Sequence, residues 1–431
     1  MTSQKHLKER IRARMARTGE RYATARGHIV GPVVGSVAGS VAGAPDGPVT
    51  DHGHPLRGGV HPDSAVVAAL LARHDRPVSE AMAFGVGGGL GAGYILWEFT
   101  ANDSRPLVLG FRHRWNYIDW AERTLTRLGV TPQVHATSGR VGAAAALTAA
   151  LAQGRPAITW PDRQLLGYWH LPPQLEAFGG HAVLAYAEDG GRVHLDDRNL
   201  APLTVDREVF DAARTRVSSY RNRLVTVADP GDCDLPGAIR AGIADTVTQF
   251  GGTSTSFALP AWRRWARMLT DERNAKGWPT VFADGGGLVG ALLSTWEGIE
   301  PAGMTGGHLR DLYADFLDEA AGVLGEPTLT GCASAFRSAG RLWHEVAEAA
   351  LPADVPAYVR LRELTAEVTM GVATGDAGAD AARSAAEELW ALRTEYDHAP
   401  PVRPDLAAIS AALTAVHDAE RAAVTQLATV L

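Results

Sequence analysis

Cysteine is scarce in this sequence: the 431 residues include only Cys233 and Cys332. They form no CxxC pair, which excludes a disulfide framework, a cysteine-ligated zinc site and an iron–sulfur cluster. The sequence also lacks any run of the roughly 18 apolar residues that a membrane-spanning helix needs. Because 46% of the residues are hydrophobic and 21% are charged, collagen-like, coiled-coil and wholly disordered chains are excluded as well.

Motifs for nucleotides and metals are missing too. No GxxxxGK[ST] phosphate loop occurs, and the only GxGxxA pattern, at Gly87, Gly89 and Ala92, follows no predicted strand. Tight turns, or a backbone that approaches a ligand closely, are the expected uses of these glycines. The fifteen histidines include no HExxH motif, so the sequence predicts no metal site and no cofactor.

The charge of the chain is unevenly distributed. Residues 1–26 carry eight Lys or Arg against two Glu, although the net charge of the whole chain is -7. This segment predicts two short helices that form either a DNA-contacting or partner-binding arm, or a solvated amphipathic extension. The Gly-, Ala- and Val-rich segment 28–45 predicts a flexible linker rather than a signal peptide, because glycine and proline interrupt its apolar stretch. The expected location is therefore the cytoplasm.

The length predicts two or three domains. We expect a basic helical arm with its Gly/Ala/Val linker over 1–45, a first folded domain over 46–228 and a helical domain over 229–431. The first domain combines early helices with later strands, which is typical of an α+β fold with an antiparallel sheet. Its predicted helices are 61–75, 116–128 and 140–153, and its predicted strands are 105–111, 155–160, 181–187 and 192–197. The predicted helices of the last domain are 235–249, 259–270, 287–300, 307–324, 330–350, 355–371, 376–398 and 404–429.

One predicted hairpin carries a histidine and two aspartates. His181 begins a strand directly after two glycines, and Asp196 and Asp197 end the next strand. A tight hairpin brings such positions together. A carboxylate that accepts from one imidazole nitrogen fixes the tautomer and leaves the other nitrogen as a general base; a structural imidazole is the alternative. A residue at a helix start, a strand histidine and an aspartate roughly 15 residues later follow the order of papain-type cysteine enzymes.

Three segments of this region carry a family resemblance: GGVHPDSAVVAALL, SEAMAFGVGGGLGAGYI and FGGHAVLAYAEDGGRVHLDDR. They resemble the butirosin biosynthesis protein H N-terminal domain family. The later segments KGWPTVFADGGGLVGALLSTWEGIE and TGGHLRDLYADFLDEAA are similar to the uncharacterised domain that often follows it. The resemblance implies a papain-like fold and an acyltransferase that moves an aminoacyl group from an acyl-carrier protein to an aminoglycoside amine through a Cys–His site. It matches His181 with the family histidine, and Asp197 or Asp196 with its acidic partner.

The sequence departs from this family at the nucleophile. The family cysteine follows a histidine, whereas here His61 is followed by Pro62, which offers no nucleophile. Ser64 is the candidate replacement, although two steps along a helix rotate a side chain by about 200°; otherwise it is a polar residue of the first turn. Asp63 is either a remnant acid or ligand, or a carboxylate that stabilises the helix N-terminus. His61 is either part of the site or a residue that enters the helix.

Three arginines are further candidates for substrate binding. Arg112 and Arg114 lie in FRHRWNY, which follows a predicted strand and could bind an anion or a phosphopantetheine arm; a surface-facing strand end is the alternative. Arg310 opens a helix after a glycine turn. It is expected either to face the cleft of the first domain or to belong to a packed turn with a solvated acidic face.

Together these residues favour acyl transfer in specialised metabolism without a covalent cysteine intermediate. His181 would act as the general base for an amine that attacks a carrier-bound thioester, with backbone N–H groups of 61–64 as oxyanion donors. The expected partners are an acyl-carrier protein or other thioester donor and a small-molecule amine; nucleic acid is expected only through residues 1–30. The alternatives are a pseudoenzyme that binds a small molecule or a carrier protein, and a regulator whose basic arm binds DNA.

Overall fold

The computed structural model describes residues 49–97, 107–112, 119–176, 179–228, 231–303 and 309–431. The predicted basic arm and linker, residues 1–45, lie outside this part. Residues Pro48–Leu431 form one compact unit. The domain boundary near 228 stays a prediction. None of the helices in the described ranges combines the length and the apolarity that crossing a membrane requires.

The strands of the described part form one large sheet and two small ones. They are β1 (Val49–Asp51), β2 (His54–Leu56), β3 (Leu90–Leu96), β4 (Leu107–Arg112), β5 (Pro132–His135), β6 (Ala157–Thr159), β7 (Val183–Asp189), β8 (Arg192–Asp196), β9 (Thr204–Asp206) and β10 (Leu224–Val227). The large sheet has the order β5–β10–β6–β7–β8–β9, and all of its neighbouring strands are antiparallel. The strands β1 and β2 pair with each other, as do β3 and β4.

Helices cover both faces of the large sheet. The helices of this half are α1 (Pro62–Ala72), α2 (Glu80–Val86), α3 (Trp120–Arg127), α4 (Arg140–Ala152) and α5 (Arg207–Arg216). Successive side chains of a strand point to opposite faces. Val183 and Ala185 of β7 therefore pack with Leu147 of α4 and Phe210 of α5, whereas Leu184 between them belongs to the core that contains α1.

The rest of the described chain is helical. Its helices are α6 (Leu235–Phe250), α7 (Pro260–Thr270), α8 (Trp278–Val281), α9 (Leu288–Ile299), α10 (Arg310–Leu324), α11 (Thr328–Ala350), α12 (Pro356–Ala373), α13 (Ala379–His398) and α14 (Leu406–Ala428). The predicted fold class is confirmed: an antiparallel sheet with helices in the N-terminal half and a helical C-terminal region. The short helix α8 was not predicted.

The glycine-rich segment serves packing between these two regions. A Cβ atom at Gly85 in α2 would lie 2.0 Å from the ring of Phe316 in α10, and one at Gly87 would lie 2.4 Å from the ring of Trp120. Gly89 adopts a positive φ of 47° beside Tyr313. The expected tight turn is present, but the close neighbours of these glycines are aromatic rings of the protein itself, so approach to a ligand is not what requires them.

Candidate functional site

Two glycines and a strand end position His181. Its backbone N–H donates to the carbonyl of Pro161 at 2.8 Å, directly beyond β6. A Cβ atom at Gly180 would lie 2.7 Å from the carbonyl oxygen of Trp160, so only glycine permits this close approach. The imidazole that follows is 9% exposed and lies two residues ahead of β7.

The β7–β8 hairpin brings His181 to Asp197. The hairpin turns through Gly190 and Gly191, both with positive φ, and Asp197 follows β8 directly. The His181 Nε2 atom lies 2.8 Å from Asp197 Oδ1. The other carboxylate oxygen, Oδ2, accepts from the hydroxyl of Tyr168 at 2.9 Å and from the indole N–H of Trp169 at 2.8 Å. These contacts hold both the carboxylate and the imidazole in one orientation.

Burial and charge set the protonation states of this pair. Burial by itself would raise the pKa of Asp197, but His181 and then Arg198 outweigh it and hold the pKa well below its usual range. Burial lowers the pKa of His181; Asp197 opposes this effect, and Arg163 and Arg198 add to it. Asp197 is therefore an ionised acceptor. His181 is neutral at pH 7, with its proton on Nε2 and a lone pair on Nδ1.

Arg198 connects this pair to the start of α1. Its guanidinium approaches Asp197 Oδ1 through Nε and Nη2, both at 3.4 Å, and donates through Nη1 to the carbonyl of Val60 at 3.2 Å. Its backbone is left-handed, with φ 64°. That conformation is uncommon for a residue with a side chain, and such outliers persist only where the surroundings enforce them. The contacts of Arg198 thus connect the His181–Asp197 pair to the N-terminus of α1.

A buried carboxylate organises the start of α1. Glu80 accepts the backbone N–H groups of His61 at 2.7 Å and Val60 at 2.9 Å, and the hydroxyl of Ser64 at 3.1 Å. Burial raises the pKa of Glu80, and the two backbone donors counteract the rise. His61 is the N-cap of α1, and its Nδ1 accepts the N–H of Ser64 at 3.3 Å. The N–H groups of His61 and Ser64 therefore already have acceptors, which counts against the expected oxyanion site.

Burial also bears on the predicted nucleophile. Ser64 has no exposed surface, and its hydroxyl lies 3.1 Å from both Glu80 Oε1 and His61 Nδ1. Asp63 is 5% exposed, and its carboxylate lies 3.8 Å from His61 Nε2. Pro62 occupies the first position of α1 and is buried. This geometry favours the capping role of Ser64 over attack on a substrate.

Other predicted site residues lie elsewhere. Asp196 contacts a different imidazole, His54 Nε2, at 2.9 Å, so Asp197 alone is the acidic partner of His181. Arg310 has no exposed surface and donates to Glu420 at 2.7 Å inside the helical region, which corrects the expectation that it faces a cleft. Arg112 ends β4. Arg114 lies outside the described residues.

The sequence prediction omitted several members of the site. Tyr168, Trp169 and Arg163 come from the segment PDRQLLGYWH, and the guanidinium of Arg163 lies 4.0 Å above the Trp169 ring. Two aromatic residues that each carry a hydrogen-bond donor, next to arginine, are the signal that was available. Glu80 had a weaker signal, since Ser-Glu at a helix start ordinarily indicates capping alone.

The described part of the chain has two surface recesses, and one of them shares Tyr168 with the site. One, of about 370 Å³, is mostly apolar and is lined by Tyr168, Leu203 and Val372 among others. The other, of about 230 Å³, is lined by Tyr94, Arg264 and further residues. His181 is not among the described residues that line either recess.

Two family models match this chain. Residues 61–198 match the model described as butirosin biosynthesis protein H, N-terminal, and residues 211–374 match a domain of unknown function, DUF4872. No curated protein matches the chain in sequence. The first match contains the His181–Asp197 pair and the start of α1, and the order of the two domains is the predicted one. Residues 61–198 are therefore similar to the butirosin biosynthesis protein H N-terminal family, and residues 211–374 are similar to the domain of unknown function.

Proposed function

We propose that this protein transfers an acyl or aminoacyl group from a carrier thioester to an amine in specialised metabolism, without a covalent enzyme intermediate. The observation that carries the proposal is the 2.8 Å contact between His181 Nε2 and Asp197 Oδ1. It places the imidazole proton on Nε2 and leaves Nδ1 as a base. Among the described residues, Asp197 is the only hydrogen-bonding partner of this ring.

The proposed reaction is direct aminolysis. The amine nitrogen attacks the thioester carbonyl, and His181 Nδ1 takes the proton that the nitrogen loses. The C–S bond of the tetrahedral intermediate then breaks, the amide forms, and the imidazolium returns the proton to the thiolate. Asp197 stabilises the imidazolium through its ionised carboxylate, and the lowered pKa of His181 keeps the resting imidazole neutral.

The start of α1 supports a direct rather than a covalent route. Pro62 has no nucleophilic atom, and Ser64 is fully buried beneath Glu80 and His61. Positioning of the two substrates can still supply a large share of the rate enhancement, because it turns a bimolecular step into an effectively unimolecular one.

The test is turnover of short N-acetylcysteamine thioesters with a panel of amines. We compare wild type with His181→Ala, Ser64→Ala and His135→Ala, the last being an exposed histidine on β5 of the same sheet. We expect His181→Ala to lose on the order of 10²- to 10⁴-fold in rate, the usual contribution of a general base. Ser64→Ala and His135→Ala should retain activity, and intact-protein mass spectrometry should detect no acylated enzyme.

Two results contradict the proposal. If His181→Ala turns over thioesters as fast as wild type, His181 is not the base. If Ser64→Ala loses activity while its thermal unfolding resembles that of wild type, or if an acylated enzyme accumulates, the route is covalent.

A non-catalytic binding function is the second candidate. The mostly apolar recess of about 370 Å³ favours it, because Tyr168 lines this recess and also donates to Asp197. A ligand there would contact Tyr168 rather than the His181 imidazole. Saturable binding of a thioester or amine without turnover by wild type would favour this function over catalysis.

A further inference from the structure

Two hairpin turns meet at the end of the large sheet remote from His181. The turn between β1 and β2 consists of His52 and Gly53, with φ 47° and 71°. The turn between β7 and β8 follows Asp189, and His194 lies on β8. The pairing of β1 with β2 through this tight turn places the His52 side chain against the β7–β8 hairpin, where its ring centroid lies 4.3 Å from that of His194.

Two imidazoles and two carboxylates converge there. Ligand atoms of Asp51, His52 and His194 all lie within 4.8 Å of one another. The carboxylate of Asp189 lies 3.2 Å from His52 Nε2 through Oδ2 and 3.2 Å from His194 Nε2 through Oδ1. Ligand atoms around a tetrahedral Zn²⁺ with bonds of about 2.0–2.1 Å lie about 3.3 Å apart. The two 3.2 Å separations at Asp189 therefore match the edges of such a coordination shell.

The hydrogen-bond count of His194 points to a cation. Its Nδ1 lies 2.8 Å from Asp51 Oδ2 and its Nε2 lies 3.2 Å from Asp189 Oδ1. A neutral imidazole has one N–H, so one of these two contacts sets a nitrogen lone pair against a carboxylate. Nδ1 makes the shorter contact and is the donor. The Nε2 lone pair then faces Asp189 and His52, which is the arrangement that a bound cation would favour.

The Asp51 carboxylate supports His194 through one oxygen, Oδ2, while its other oxygen lies 3.9 Å from His52 Nε2. It accepts from His194 Nδ1 and from the hydroxyl of Tyr186 at 2.7 Å. Metal-binding histidines usually donate their second N–H to a carboxylate in this way, which fixes the tautomer and makes the other nitrogen a better ligand.

We propose that this cluster is a site for a divalent transition metal of the Zn²⁺ class, bound by His52 Nε2, His194 Nε2 and the Asp189 carboxylate, with Asp51 orienting His194. The ion fastens the β1–β2 hairpin to the β7–β8 hairpin. Because His54 of β2 contacts Asp196, next to Asp197, the same ion stabilises the loop that carries the His181 partner. The proposal does not depend on acyl transfer.

The test is a titration of the tag-free full-length chain after removal of metals with a chelator. Co²⁺ reports coordination through its visible d–d absorption, and Zn²⁺ is added by calorimetry. We expect one saturable site, displacement of Co²⁺ by Zn²⁺ and a higher thermal unfolding temperature with Zn²⁺. His52→Asn keeps a residue that tolerates the left-handed turn and should abolish the site. Asp51→Asn should weaken binding on the order of 10- to 100-fold, as outer-shell exchanges do.

One control and one ligand variant separate this site from chance binding elsewhere. His135→Asn removes an exposed imidazole on β5 and should bind as wild type does. Asp189→Asn alters a carboxylate that is 59% exposed, so it should fold normally and bind weakly. The proposal is overturned if wild type shows no saturable site, or if His52→Asn and His135→Asn bind the ion equally.

Discussion

Replacing Asp197 with Asn separates the two roles that we assign to its carboxylate. The indole N–H of Trp169 can only donate, and the hydroxyl of Tyr168 donates to the same oxygen. The amide oxygen of Asn must therefore face these two residues, and its NH₂ group must face His181. Nε2 of His181 then has to accept, so the imidazole proton moves to Nδ1 and the base is lost.

The size of the stability change follows from these contacts. Hydrogen bonds to a charged group contribute about 1.5–3 kcal/mol and neutral ones about 0.5–1.5 kcal/mol. The bonds from Tyr168 and Trp169 should thus each weaken by about 1 kcal/mol, and Arg198 keeps its buried charge without the carboxylate. We expect Asp197→Asn to lower the free energy of unfolding by about 3 kcal/mol, the lower end of the about 3–5 kcal/mol lost on breaking a buried ion pair.

Urea unfolding and histidine-selective ¹⁵N NMR measure the two effects. The matched control is Asp206→Asn, since Asp206 pairs with Arg192 at the same 2.8 Å but its side chain is 65% exposed. That exchange should change the free energy of unfolding by less than about 1 kcal/mol. In Asp197→Asn the ¹⁵N spectra should move the His181 proton from Nε2 to Nδ1. In a hydrolytic triad the same tautomer change lowers kcat by about 10⁴-fold.

The change of stability with pH tests the sign of the Asp197 contribution. The pKa of Asp197 is lower in the folded than in the unfolded chain, so its stabilisation is full above the unfolded pKa of about 3.9 and disappears as the pH falls through the folded value. The difference between wild type and Asp197→Asn should therefore be constant above about pH 7, where His181 is neutral in both proteins, and the contribution of the Asp197 carboxylate should disappear in strongly acidic buffer. The reasoning would be refuted if Asp197→Asn unfolds like wild type at pH 7, or if the His181 proton stays on Nε2 in this variant.

Further predictions concern packing and the helical region. Gly85→Ala should destabilise the fold by about 1–3 kcal/mol or more in thermal unfolding, because its Cβ atom would lie 2.0 Å from the ring of Phe316. Gly322→Ala, at a helical glycine with no atom within 4 Å of the added methyl, should instead stabilise by about 0.5–1 kcal/mol; equal effects would contradict both. Glu420→Gln should cost about 3–5 kcal/mol in urea unfolding, because it removes the carboxylate charge from a fully buried contact with Arg310, and a loss below about 1 kcal/mol would refute that.

Long periodic helices were the most predictable part of the fold. The predicted helix 235–249 is α6, and 404–429 is α14, each within two residues of the observed ends. Amphipathic spacing over many residues and proline between segments give strong signals there. The strands β1, β2, β3, β5, β9 and β10 were not predicted. All except β3 are four residues or shorter, and strands such as β5 depend on partners distant in sequence, as in the pairing of Val134 with Val225.

The candidate site was predictable where one hairpin contains it. His181 and Asp197 lie 16 residues apart across β7 and β8, so strand alternation and a glycine turn were enough to bring them together. The choice between Asp196 and Asp197 was not predictable from the hairpin, because it depends on a contact with His54 from a separate sheet. Arg310 was misplaced for a similar reason: its partner Glu420 is 110 residues away, and a lone arginine at a helix start gives no sign of burial.

The start of α1 and the His181–Asp197 pair differ in how they contribute to the stability of the fold. Proline at the first helical position has its φ preset and lacks the N–H that would otherwise need an acceptor, so Pro62 stabilises α1. A buried carboxylate with an imidazole partner offers no such benefit, because burial of its charge costs desolvation free energy. The chain thus has proline at the position where the family resemblance implies a nucleophilic cysteine, and proline favours the helix there. It has an imidazole and a buried carboxylate at positions where apolar side chains of similar volume could also pack. That contrast is why we favour base-assisted transfer over a purely structural role for His181.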